Sequence, residues 1–160
     1  MDNFFSRARQ AMDLRVGIEL GLDQAGDAVA WADRLLADPA VGYDARLAAV
    51  SLAGVASPAE MIGLLEPLCA PEDEWPAIRQ ALGRVYDHVV RNPETALSFA
   101  ERLEQIWINH HYEVPDDLGD VVGPDDALRM AWDNVYGDKK TETGKFVEAL
   151  RQGMRPGKSP

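Results

Sequence analysis

Apolar residues recur along this chain every three or four positions, the spacing of helices that each bury one face. In "DQAGDAVAWADRLLAD", Ala28, Ala32, Leu35 and Leu36 form one stripe with Trp31 at its edge, and Pro39 closes the helix. "YDARLAAVSLAGV" offers Asp44 as a cap and turns Leu47, Val50 and Leu52 inward. "EDEWPAIRQALGRVYDHVV" has Pro76 near its start and a stripe of Ile78, Leu82, Val85 and Val89. The next two segments place Ala96, Ala100, Leu103 and Trp107, then Leu128, Ala131, Trp132 and Val135, on inner faces. Gly137 is expected just past the second of these helices. A last short helix runs through Phe146, Val147 and Leu150. No run alternates with period two between hairpin turns, so no sheet is expected.

Three helix starts share one form: a residue able to cap, then proline at the first helical position. They are "SPAEMI" at Ser57, "NPETAL" at Asn92 and "GPDDAL" at Gly123, and Glu60 completes a capping box with Ser57. Asp125 and Asp126 stand near the positive end of their helix dipole. The starts lie 35 and 31 residues apart, close to the period of helix-hairpin repeats, but the side chains beyond them do not match. The expected fold is therefore all-α: one domain of about seven helices, packed as a bundle. A short α-solenoid of helix hairpins is the alternative. Residues 1–151 form the helical domain, and 152–160 a flexible basic tail.

Composition is that of an ordinary globular chain, 46% hydrophobic and 27% charged over 160 residues. The single cysteine, Cys69, excludes an internal disulfide and multi-thiolate metal sites, and with no basic neighbour it reads as a buried, inert thiol. No stretch is long and apolar enough for a membrane span, and the first residues resemble neither a secretory signal nor a transit peptide. A cytoplasmic location is expected.

Charge changes the picture more. The net charge is −11, yet residues 1–138 carry −15 and residues 139–160 carry +4. Such a body repels phosphate backbones, so direct nucleic-acid binding is not expected, whereas a basic protein would be drawn to it.

Sequence signatures of catalysis are missing. There is no phosphate-binding glycine loop, no nucleophile elbow, no His-Glu-x-x-His and no EF-hand, and no cofactor is expected. One stretch holds candidate chemistry, "INHHYEVPDDLGD". On a continuing helix His110 and Glu113 share a face, while His111 points about 100° away. A metal there would need Asp116 or Asp117, or His88 from another helix, and the ligand spacing of known sites is absent. The competing reading is a helix end at which His110 or His111 satisfies exposed carbonyls.

Beyond that end the chain is strongly acidic: residues 113–138 hold eight acids and one cation, Arg129. Such a run forms a solvated face, or a surface for a basic partner with an aromatic anchor. The candidate partner-binding residues are Tyr112, Glu113, Asp116, Asp117, Asp120, Asp125 and Asp126. A smaller candidate lies in "APEDEWP": Glu72, Asp73, Glu74 and Trp75.

"GLDQAGDAVAWADRLLAD", "SLAGVASPAEMIGLLEPL" and "ALRMAWDNVYGD" together resemble small all-helical bacterial proteins of uncharacterised families, some similar to immunity proteins of polymorphic toxin systems. The resemblance implies a non-enzymatic protein whose partner is another protein. The acidic body independently suits a basic, nuclease-like toxin domain. The expectation is thus an immunity-type inhibitor, with a metal-dependent helical enzyme centred on His110 and Glu113, or a helical adaptor, as alternatives. Partner identity and oligomeric state are left open.

Overall fold

Helical periodicity is realised throughout. The computed structural model describes residues 2–154, with side chains from Arg7 onward. In order these are α1 (Asp2–Glu19), α2 (Ala25–Leu36), α3 (Ala45–Ser51), α4 (Pro58–Leu65), α5 (Glu74–Arg91), α6 (Ala96–Asn109), α7 (Gly119–Val122), α8 (Asp126–Trp132) and α9 (Lys139–Gly153). Short 3-10 turns at Glu66–Leu68, Pro71–Asp73, Pro93–Thr95 and Asp116–Leu118 join them. No strand occurs among the described residues, and the fold is the expected all-α class. No helix among them is long and apolar enough to cross a membrane. Contacts group the chain into two compact units, residues 1–81 and 82–160, with the dividing point inside the unbroken α5.

In the first unit α1 lies against α4 and the turn that follows it, while α2 pairs with α3. Their shared core joins Ala11, Ile18, Ala28, Trp31, Ala32, Leu47, Val50, Met61 and Leu65. Each large apolar side chain buried this fully contributes about 1.5–3 kcal/mol. Trp31 is central, not peripheral: it is buried, and its indole Nε1–H donates to Gln10 Oε1 at 2.8 Å. Asp44 caps α3 by accepting from the Arg46 amide, and Ser57 with Glu60 forms the expected box at α4.

The second unit packs α6 on α7, α7 on α9 and α8 on α9. Leu82, Val85 and Val89 of α5, Phe99, Leu103 and Ile106 of α6, and Phe146 and Leu150 of α9 are buried. Gly153 permits a close approach here, since a Cβ on it would lie 2.9 Å from Leu82 Cδ1 and 3.0 Å from Val121 Cγ1. α9 therefore includes Gln152 and Gly153, which the sequence assigned to the tail, and residues 155–160 lie outside the described residues.

Several expectations change. The seven helices inferred from periodicity did not include α1, nor the four-residue α7. The prolines at 93 and 124 stand ahead of their helices: Pro93–Thr95 is a 3-10 turn before α6, and Asp125 caps α8, accepting from the Leu128 amide at 2.9 Å. Leu52 and Val135, expected inward, are 86% and 72% exposed, because α3 stops at Ser51 and α8 at Trp132. The left-handed residue closing α8 is Asn134 (φ 56°), while Gly137 (φ 90°) serves the turn into α9.

Candidate functional site

The acidic candidate segment belongs to the second unit, and its geometry begins with how α6 stops. His111 and Tyr112 both adopt left-handed backbone, φ 53° and 69°. The His111 amide donates to the Ile108 carbonyl at 2.9 Å and the Tyr112 amide to the Trp107 carbonyl at 2.9 Å. This is a Schellman closure, with Tyr112 returning onto the last inward aromatic of the helix. The Trp107 and Tyr112 rings meet edge-on, centroids 4.5 Å apart. Tyr112 is thus anchored at its base yet 62% exposed. Backbone amides of His111 and Tyr112 thus close the helix.

From there to α8, apolar residues point in and acids point out. Leu118, Val121 and Val122 are buried, pinning the 3-10 turn and α7 to the second unit. Glu113, Asp116, Asp117 and Asp120 are exposed between them. Gly123 allows the return, since a Cβ there would sit 2.8 Å from the Gly119 carbonyl oxygen. The acidic stretch is therefore a rigidly backed surface.

Asp125 and Asp126 have structural work. Asp125 is half-buried and occupied as the α8 cap. Asp126, largely exposed, lies 3.4 Å from Arg129. Arg129, the one cation of residues 113–138, also donates to Glu104 Oε2 at 2.7 Å, and that hydrogen bond foremost raises its pKa above the ordinary value. Its charge is shared between Glu104 and Asp126.

The smaller candidate falls in the first unit. Glu72 is exposed, while Asp73, Glu74 and Trp75 are half-buried. Glu74 is withdrawn from any partner-facing role, because its Oε1 accepts from Arg15 Nη1 at 2.8 Å. The desolvation cost that burial places on Arg15 is outweighed by this bond and by the Glu74 charge, so the guanidinium pKa is raised.

The proposed metal ligands do not assemble. Among the described residues no three His, Cys, Asp or Glu side chains are placed to share an ion. His88 instead packs edge-on against Phe99, centroids 5.2 Å apart. Turning the chain left-handed at His111 and Tyr112 ends the helical register on which the pairing of His110 with Glu113 depended.

The sequence also hid exposed apolar residues in this unit. Val135 and Tyr136 are 72% and 77% exposed beside the acidic segment in sequence, and Asn134 in "DNVYGD" was the signal that the helix had ended before them. The chain matches no family model, no curated protein and no solved structure.

Proposed function

We propose that this chain is a non-enzymatic protein-binding domain, and that the segment from Tyr112 to Asp126 is the surface it presents to a basic partner. One observation carries the reading: Glu113, Asp116, Asp117 and Asp120 are exposed on a backbone held to the core by Leu118, Val121 and Val122, next to an anchored and exposed Tyr112. A preorganised acidic surface lowers the ordering cost of binding and speeds encounter with a cationic protein. Tyr112 supplies an aromatic anchor at the edge of that charge.

With this chemistry the protein acts as an immunity-type inhibitor in the bacterial cytoplasm. It covers a basic, nuclease-like toxin domain and sets carboxylates where the toxin would hold substrate phosphates. Glu72 and Trp75 form a lesser contact region in the first unit. Affinity capture, followed by titration of the purified pair between 50 and 300 mM salt, tests the proposal. A cationic partner bound less tightly as salt rises is expected, on the order of tenfold across that range. A partner without cationic surface, or salt-indifferent binding, contradicts it.

A further inference from the structure

An open cleft of ≈ 440 Å³ in the second unit has no carboxylate among its lining residues. Its size is within the ~300–1,000 Å³ of small-molecule sites. Val89 and Val90 at the end of α5 and Val147 on α9 give it apolar walls, and Trp132 of α8 faces it from the side. Gly144 lines it too, and a methyl group built there would meet only open space.

The charged residues lining this cleft are cationic, against the net charge of the molecule, and Thr143 lies among them. Lys139 and Lys140 line it, and Lys139 Nζ stands 5.1 Å over the Trp132 ring. Both lysines occupy the first turn of the 15-residue α9, the end at which the helix dipole favours anions and disfavours cations. Folding alone would prefer acids here. The indole Nε1–H of Trp132 is shielded from solvent and has no hydrogen-bond partner among the described residues, although buried tryptophans usually find one. Apolar walls and two ammonium groups share one cleft, and Trp132, which also lines it, holds an unmet donor.

We propose that this cleft binds an amphiphilic carboxylate, a small molecule with an aliphatic body and one anionic head. The aliphatic part lies on Val89, Val90 and Val147, and the carboxylate pairs with Lys139 and Lys140 at the rim. As the ring adjusts to the bound head group, the Trp132 N–H gains an acceptor. This site is independent of the acidic surface.

Titration of the ¹⁵N-labelled chain with sodium decanoate, below its micellar concentration, reads the site through the four indole N–H signals, with Trp132→Phe assigning one of them. The Trp132 signal is expected to shift saturably while those of Trp31, Trp75 and Trp107 stay in place. Gly144→Leu, which fills the cleft and favours the helix, should abolish the shift. Lys139→Gln with Lys140→Gln should weaken binding about tenfold or more, and decyltrimethylammonium should not bind. The proposal is overturned by the absence of a saturable shift, by equal binding of the cationic amphiphile, or by undiminished affinity in either folded variant.

Discussion

Arg15 Nη1 meets Glu74 Oε1 at 2.8 Å, tying the middle of α1 to the first residue of α5, with both side chains less than one-fifth exposed. Removing one partner of such a pair leaves the other charge shielded from water without compensation. Glu74→Ala should therefore cost about 2–3 kcal/mol in urea unfolding. Glu72→Ala, two residues away and exposed, should change stability by less than about 0.5 kcal/mol. Equal effects would remove the distinction drawn between these neighbouring acids.

The end of α6 places a histidine in the left-handed conformation that glycine occupies at no steric cost. His111→Gly should raise stability by about 0.5–1 kcal/mol, measured as an increased denaturation midpoint with unchanged slope. Tyr112 should keep its contact with Trp107 in this variant, and loss of stability would contradict the account of the helix stop.

Stability should fall in acid through identifiable caps. The Asp44 carboxyl is held below its ordinary pKa first by hydrogen bonding from the Arg46 side chain, and Glu60 and Asp138 by the amides of Ser57 and Thr141. An acid whose pKa is depressed by folding contributes fully above its unfolded value, about 4, and loses that contribution as pH falls further. Thermal melts between pH 7 and 3 should show the midpoint falling mainly below about pH 4. Glu60→Gln, which cannot ionise, should remove the part of this dependence due to Glu60.

Cys69 packs beside the first-unit core, its thiol donating to the Leu65 carbonyl at 3.3 Å, and burial foremost pushes its pKa up to about 11. At pH 8 a thiol-disulfide reagent should modify it about a hundredfold more slowly than free cysteine, and at the free rate in urea. Rapid modification of the folded chain would show that the thiol is not held as described.

The legible parts of the fold were those with one clean apolar stripe. Ile78, Leu82, Val85 and Val89 were read correctly because α5 is long and carries its charges on the other face. α1 escaped notice because Arg9, Asp13 and Arg15 interrupt its buried positions; they are tolerated by pairing, Arg9 with Asp13 and Arg15 with Glu74. Leu52 and Val135 continued an apolar spacing past the point where the backbone had turned, which spacing alone does not reveal. In the acidic segment the exposed carboxylates were legible, but the core role of Leu118, Val121 and Val122 was hidden by the acids around them. The ion pair of Glu74 joins residues 59 apart and left no local trace.

The central claim is that the exposed acids following Tyr112 hold a basic partner. Its most direct test compares the wild-type chain with a Glu113→Gln, Asp116→Asn, Asp117→Asn, Asp120→Asn variant, by calorimetric titration of the purified partner at 100 mM salt. None of the four is buried, so the variant should keep the wild-type fold, which its circular dichroism spectrum checks. The account predicts affinity reduced by roughly a hundredfold, with a shallower salt dependence. Unchanged affinity and an unchanged salt slope in a folded variant would contradict it.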